Sequence, residues 1–370
     1  MQNLEKLDDI FNFYKGKRVL ITGHTGFKGS WLSIWLHKLG ALIAGYSLPA
    51  YTNRDNYLIS KVDDTIKGYI GDIRNLEDMD KVFFEFQPEI IFHLAAQTRV
   101  IDGYNDPKYT YDVNVGGTVN ILECCRRSDS VKTIVVVTSD KCYENKGWIW
   151  PYRENDTLGG YDPYSSSKAA VELVCSSYLK SFFNPVEYLN HGKSLSTARA
   201  GNVIGGGDWT SNQLIPDCIR ALEKDEIIKI RNPHHTRPWQ FVLEPLWGYL
   251  LLAINMYLSP KTFSDVWNFG PKITSVIPVQ EIVELVIDNY KKGKWENYKP
   301  MESKHEAEFL SLDHSKAFFK LGWQPTLEID EAVTLTVNWY LNYQNNNNMF
   351  KFCSDQIDLF TQRIQSGKII

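Results

Sequence analysis

Tyr164 and Lys168 stand four residues apart in Tyr164-Ser165-Ser166-Ser167-Lys168. On a helix this spacing puts both side chains on one face, a turn apart. A free tyrosine ionises near pH ~10, too high for a base in neutral solution. An adjacent ammonium stabilises the phenolate and moves it toward the working range. Upstream, Thr138-Ser139-Asp140-Lys141 follows the apolar run Ile134-Val135-Val136-Val137. Ser139 can hydrogen-bond a hydroxyl that is being oxidised. Asp140 and Lys141 add an acid and a base, the pair needed to eliminate water beside a carbonyl. Lys141 acts as a base only when neutral, which requires neighbours or burial. Each piece alone has a plain reading: a surface tyrosine and lysine on a helix, and a solvated Asp-Lys turn. Together they point to an enzyme that oxidises a substrate, removes something from it and reduces it again.

These residues need a scaffold that brings strand ends to a ligand. Short β-branched runs at 18–22, 41–46, 67–71, 89–94 and 132–138 read as strands. Helical patterns at 28–39, 76–86, 109–127 and 163–182 alternate with them. The alternation predicts an α/β fold, a Rossmann-type doubly wound parallel sheet with helices on both faces. Ser139 and Asp140 then fall at the carboxyl end of a strand, on the edge that faces the ligand crevice. After Phe183 the rhythm breaks: a strand-like 197–204 leads into the loop Gly205-Gly206-Gly207-Asp208-Trp209, followed by short elements such as a helix over 279–290. The expected division is a cofactor domain over 1–185 and about 236–268, with a smaller mixed α/β substrate-binding domain over about 186–235 and 269–343. The polar run Asn345-Asn346-Asn347-Asn348 marks a surface linker, so 344–370 reads as linker and C-terminal tail.

Gly23-His24-Thr25-Gly26-Phe27-Lys28-Gly29 lies between the first strand and the first helix. Its glycines allow a tight turn and close approach of a pyrophosphate, while the helix N-terminus supplies partial positive charge. The spacing is GxxGxxG. Gly23, Thr25, Gly26, Phe27, Lys28 and Gly29 are therefore candidate cofactor residues, with Lys28 either meeting a phosphate or solvated. Asp72 and Ile73 end the third strand, where Asp72 can contact an adenine amine or belong to a helix cap. Leu94, Ala95 and Ala96 end the fourth strand and leave room for a cofactor. Thr138, Tyr164 and Lys168 complete the set, Lys168 also reaching the nicotinamide ribose. The second strand ends Gly45-Tyr46-Ser47-Leu48, without the usual acidic residue for ribose hydroxyls. The nearest arginine, Arg54, lies well downstream, and the cofactor is read as NAD.

The chain has 370 residues, 43% of them hydrophobic, enough for one large domain or two modest ones. Its net charge of −4 provides no global attraction to nucleic acid or anionic membrane. The cysteines Cys124, Cys125, Cys142, Cys175, Cys218 and Cys353 show no CxxC or metal-ligand spacing. Reduced thiols and no metal are expected. The opening residues are charged and lack an apolar signal core. The apolar stretch 246–258 is short of the ~20 residues that a span requires. A cytoplasmic protein with no membrane or nucleic-acid partner is expected.

Several longer segments carry a family likeness. They are Gly23-His24-Thr25-Gly26-Phe27-Lys28-Gly29-Ser30-Trp31-Leu32, Thr138-Ser139-Asp140-Lys141-Cys142-Tyr143, Tyr152-Arg153-Glu154-Asn155, and Gly159-Gly160-Tyr161-Asp162-Pro163-Tyr164. Arg199-Ala200-Gly201-Asn202-Val203-Ile204-Gly205-Gly206-Gly207-Asp208-Trp209 and Arg237-Pro238-Trp239-Gln240 continue it. From about 16 to 339 the chain resembles the extended short-chain dehydrogenase/reductases, in the branch of the CDP-glucose 4,6-dehydratases. The resemblance implies that Tyr164 takes the carbon 4 hydroxyl proton while NAD takes the hydride, that Lys141 removes the carbon 5 hydrogen, and that Asp140 protonates the departing carbon 6 hydroxyl. It implies a CDP-4-keto-6-deoxy sugar, a precursor of deoxysugars in surface polysaccharides such as lipopolysaccharide. It also implies substrate contacts at Gln97, Ser139, Asn202 and Arg237, with a weaker likeness at His305 and Glu308. Arg199 or Arg237 can equally pair with a carboxylate. A homodimer or dimer of dimers, joined through the helices at 109–127 and 163–182, is the implied assembly.

Two departures fall at the ligand. Where the family reads AAQPLV with an arginine soon after, this chain has Ala95-Ala96-Gln97-Thr98-Arg99-Val100-Ile101-Asp102, and Gln213 stands where an arginine is usual. The alternatives kept open are a 4,6-dehydratase of another nucleotide sugar and an epimerase or reductase, which would lack the Asp-Lys pair. A non-catalytic NAD-binding regulator would lack Tyr164, Lys168 or Ser139.

Overall fold

The computed structural model describes residues 7–298 and 309–366. Its strands are β1 (Arg18–Thr22), β2 (Leu42–Ser47), β3 (Lys67–Ile70), β4 (Ile90–His93), β5 (Thr133–Val137), β6 (Ser194–Ala200), β7 (Asn202–Ile204), β8 (Ile228–Ile230), β9 (Thr236–Phe241), β10 (Val266–Phe269), β11 (Val276–Pro278) and β12 (Trp295–Asn297). A seven-stranded parallel sheet runs in the order β10-β6-β5-β4-β1-β2-β3. Every residue of β5 and β6 is buried, as expected for strands covered by helices on both faces. The predicted α/β doubly wound sheet is present.

A second sheet of three strands, β11-β9-β7, stands beside it. The strand expected over 197–204 is two strands. It breaks at Gly201, and the chain leaves the large sheet for the small one there. A Cβ on Gly201 would come within 2.9 Å of Pro238 and 3.3 Å of the Asp140 carboxylate. β9 pairs within the small sheet, although the segment from 236 was expected with the cofactor domain. The helix that follows it, Leu243–Leu258, and β10 return to the large sheet.

Local signals explain the helices that carry the site. Pro163–Ser181 starts at a Pro in its first position, and Asp162 caps it by accepting from the Ser165 amide at 3.0 Å and hydroxyl at 2.6 Å. The helix expected over 109–127 begins earlier, at Pro107, because Asp106 caps it. It is interrupted by a π-helical segment, Asp112–Gly116. The apolar stretch at 246–258 lies in the buried helix Leu243–Leu258. Among the described residues, no helix is long and apolar enough to cross a membrane.

The segment read as a tail is a helix, Met349–Ser366, with Met349, Cys353, Ile357, Phe360 and Ile364 buried. Their three- and four-residue spacing makes an apolar stripe, and it packs against the helices Phe27–Lys38 and Ile329–Gln344. Phe360 meets Trp35 edge-on, with ring centroids 5.8 Å apart, and Trp35 stacks on Trp247. Asn345–Asn348 remains an exposed turn before it. Phe360→Ala should therefore lower the unfolding free energy by about 3 kcal/mol in urea titrations. An unchanged midpoint would mean that the segment contributes nothing to the core.

Candidate active site

The strand ends of the large sheet and the start of the small sheet enclose one cleft of about 1210 Å³. Of the predicted residues, Gly23, Thr25, Gly26, Phe27, Lys28, Gly29, Asp72, Ile73, Leu94, Ala95, Ala96 and Gln97 line it. So do Thr138, Ser139, Asp140, Lys141, Tyr164, Lys168, Asn202 and Arg237. His305 and Glu308 lie outside the described residues.

The glycine loop is built for close approach. Gly23 has φ +77°, and a Cβ there would sit 2.8 Å from the Ala95 nitrogen. At Gly29, a Cβ would lie 2.1 Å from the Gly23 carbonyl oxygen. The helix Phe27–Lys38 begins with no side-chain cap and no acid in its first turn. That leaves its N-terminal partial charge for an anion. Thr25 ties the loop to the end of β2, sharing a 2.7 Å hydrogen bond with Ser47 and donating to the Leu48 carbonyl at 2.9 Å. Lys28 is half-buried on the cleft wall. Its ammonium is lowered to about 8 by burial and by Lys168 and Lys141, against the opposing pull of Asp140. Asp72 is held by Arg74 through a salt bridge of 2.6 Å, and Asn75 caps the next helix. Arg54 is committed elsewhere: it grips Glu223 at 2.5 and 3.0 Å and lies 3.5 Å over the Trp209 ring. A dinucleotide diphosphate fits this cradle, with the loop amides, the helix N-terminus and Lys28 as the groups to hold it.

The reactive residues meet on the cleft floor. Ser139 donates to Asp140 Oδ1 at 2.9 Å and accepts from the Lys141 amide at 3.3 Å. Asp140 is 1% exposed, and its Oδ2 has no hydrogen-bond partner. Lys141 Nζ is 3.7 Å from Asp140. Burial pushes the Tyr164 phenol well above its usual value, partly offset by its hydrogen bond to Ser139. Lys168 is buried and donates to the Val137 carbonyl at 3.4 Å; burial lowers it to about 8, with Glu172 pulling it back up.

Glu172 was not anticipated. It stands four residues beyond Lys168 on the same helix face and is 3% exposed. It accepts from Arg199 at 2.9 and 2.8 Å, from Thr197 at 2.7 Å, and from Thr138. Burial alone would raise this carboxyl, but Arg199 and the two hydroxyls hold it below the usual range. Of the two readings open for Arg199, pairing with a carboxylate is the one observed. Its other end binds the Tyr143 hydroxyl at 2.5 Å and the Glu154 carbonyl at 3.2 Å. The spacing Tyr164, Lys168, Glu172 was the available signal.

Asn114 was also missed. It lies in the π-helical segment and bridges Gln97 to Ser167, donating to the Gln97 carbonyl at 3.0 Å and to the Ser167 hydroxyl at 2.8 Å. The Gln97 amide is committed to Arg99 and Thr110, so this side chain holds its own loop. Asn202 and Arg237 sit on neighbouring strands, β7 and β9, and Arg237 also donates to the Thr236 carbonyl at 2.8 Å. Gln213 precedes the helix Leu214–Glu223 on the cleft wall.

Comparison with known proteins places this geometry. The family model described as GDP-mannose 4,6 dehydratase matches residues 20–336. The chain belongs to that family. It is 47% identical over 334 residues to a CDP-glucose 4,6-dehydratase of Salmonella typhimurium, covering 89% of this chain and 92% of the relative. It is 24% identical to a dTDP-D-glucose 4,6-dehydratase of Dictyostelium discoideum, covering 91% of this chain and 84% of that one. In fold it matches the dTDP-glucose 4,6-dehydratase DesIV from Streptomyces venezuelae, a structure solved with NAD bound. The TM-score is 0.75 at 20% identity, over 90% of this chain and 99% of that one. A UDP-glucose 4-epimerase from Thermotoga maritima matches at a TM-score of 0.74 and 21% identity, over 88% and 99%. The fold is thus common to solved dehydratases and epimerases.

The buried charges set two expectations. If charged Lys168 supports Tyr164, kcat/KM should fall as the pH rises through about 8, where the ammonium loses its proton. Glu172→Gln removes the carboxylate that favours the charged form, so this alkaline limb should move to lower pH. The same substitution leaves Arg199 buried without its partner and should cost about 3 kcal/mol of stability. A pH profile and a urea titration of the variant check the two effects separately.

Proposed function

We propose that this chain is a nucleotide-sugar 4,6-dehydratase that uses NAD and converts CDP-glucose to CDP-4-keto-6-deoxyglucose, a lyase reaction. The carrying observation is Asp140, buried with one carboxylate oxygen unpartnered, beside Lys141 and in the same cleft as Tyr164 and Lys168. A redox site alone requires only the tyrosine and lysine; the second acid/base pair is what an elimination adds. The 47% identity to the Salmonella typhimurium CDP-glucose enzyme supports the choice of nucleotide sugar.

NAD, held by the glycine loop, the N-terminus of the helix Phe27–Lys38 and Lys28, would supply a reversible hydride acceptor for carbon 4 and donor for carbon 6. The chain's residues do the rest. Ser139 hydrogen-bonds the carbon 4 hydroxyl, and Tyr164 takes its proton, with Lys168 favouring the phenolate. The new carbonyl acidifies the carbon 5 hydrogen, which Lys141 removes. Asp140 gives a proton to the carbon 6 hydroxyl as it leaves as water. Asn202, on the small sheet, meets the substrate diphosphate and Arg237 its nucleotide, so cofactor and substrate approach from different sheets. Exclusion of water by the buried floor strengthens each of these interactions. We further read the protein as cytoplasmic, as a homodimer or dimer of dimers, and as a supplier of deoxysugars for surface polysaccharide. The buried, unpaired cysteines support a reducing compartment.

The test is incubation of the purified protein with CDP-glucose, with and without added NAD, followed by mass spectrometry. The expected product has lost the mass of one water, without accumulation of reduced cofactor. Water loss only from a UDP, GDP or dTDP sugar in a parallel panel would keep the chemistry and reject the substrate. Asp140→Asn and Lys141→Met should each retain carbon 4 oxidation but slow dehydration by about a hundredfold or more. Full turnover by either variant would refute the roles given to them.

A further inference from the structure

Tyr51 and Arg99 make contact from opposite walls of the cleft. Tyr51 follows β2, Arg99 follows β4, and β1 lies between these strands in the sheet. Their contact therefore reaches across the carboxyl end of β1, where the glycine loop opens the helix Phe27–Lys38. Arg99 Nη1 donates to the Tyr51 hydroxyl at 3.4 Å, and its guanidinium carbon lies 5.1 Å from the ring centroid. Both residues line the cleft.

The two halves are held differently. The Arg99 backbone is pinned by Gln97, whose side chain accepts from its amide at 2.5 Å and donates to its carbonyl at 3.0 Å. The Gln97 amide in turn donates to Asn114 at 2.8 Å, which links this segment to the catalytic helix through Ser167. Asp102 pairs with the guanidinium. Tyr51, by contrast, is 64% exposed on the loop after β2. One arm is thus fixed to the cleft floor and the other meets it through an exposed contact that is weak enough to open.

We propose that Arg99 and Tyr51 form a clasp over the dinucleotide groove, and that the Arg99 guanidinium holds the cofactor diphosphate when the clasp is closed. This rests on reading the groove as the NAD site. A guanidinium fork matches diphosphate oxygens in shape and charge, and an aromatic face on its other side limits its freedom. The chemistry gives the clasp a purpose: a cofactor that is regenerated within each turnover need not leave between turnovers.

NAD binding to the full-length protein, freed of bound nucleotide, tests this by calorimetry, together with the rate of NAD release after dilution. Arg99→Ala and Tyr51→Ala should each weaken NAD binding by about tenfold, chiefly through faster release. The double variant should be little worse than the weaker single, because the two side chains act as one unit. Arg99→Lys, which keeps the charge and loses the fork, should fall between wild type and Arg99→Ala. The exposed Tyr51 gives a variant that folds whatever happens at Arg99. Unchanged NAD affinity in both single variants would overturn the clasp. So would a raised KM for the nucleotide sugar with unchanged NAD affinity, which would put the guanidinium on the substrate. No sugar is present in the binding assay, so loss of the dehydratase reading would leave this result intact, whereas wild-type protein that fails to bind NAD would overturn the cofactor reading and the clasp with it.

Discussion

The ion pair between Glu172 and Arg199 holds the active site together. Both side chains are almost fully buried, and the pair spans the catalytic helix and β6. Isolated buried charges are strongly disfavoured, so each fixes the position of the other. Glu172 also accepts from Thr138, the residue before Ser139. Arg199 reaches Tyr143, whose hydroxyl donates to Asn268 on β10 at 2.8 Å. Asn268 then binds the Tyr152 carbonyl at 2.9 Å. One pair thereby sets the relative positions of the helix with Tyr164 and Lys168, the strand end with Ser139 and Asp140, and the loop between Tyr143 and Tyr152. Apolar packing could hold these elements together, but it is not directional and would not fix the relative positions of their polar side chains.

The same low-dielectric environment governs the titrations. Burial disfavours the charged forms of Tyr164, Lys28 and Lys168, so the phenol stays protonated in the free protein while the two lysines are weakened as cations. Lys28, Lys168 and Lys141 converge on a region where Asp140 is the opposing carboxylate. Such a site favours an anionic occupant, and a diphosphate relieves the repulsion among the lysines. A further positive charge beside Tyr164 would lower its pKa toward the working range.

Gly201 gives the site its second half. At this residue the chain leaves the large sheet for the small one, and the missing side chain lets Pro238 and Asp140 come close. Asn202 and Arg237, which the small sheet carries, line the same cleft as Asp140. Dehydratase and epimerase relatives share this scaffold. On this scaffold Asp140 and Lys141 directly follow β5 and face the cleft.

Much of this was legible in the sequence because it depends on near neighbours. Tyr164 and Lys168 share a helix face by spacing alone, the glycine loop lies between a strand and a helix, and Ser139-Asp140-Lys141 must lie at a strand's carboxyl end. The β-branched runs and helical periods likewise predicted the parallel sheet. The rest depended on contacts between residues far apart in the chain. Glu172 finds Arg199 only when β6 docks beside β5, and Arg54 is removed from any phosphate only because Glu223 folds against it. The apolar stripe at 349–366 looked like a tail because nothing nearby in sequence shows the surface it covers. Asn114 bridges Gln97 and Ser167 from a π-helical segment that helical periodicity does not reveal. The sequence by itself determined which groups could react, since identity and local spacing suffice for that. Only the tertiary structure decided which of them are buried, paired or open to a ligand, because charge, solvation and distance are set jointly by segments that meet only in the folded chain.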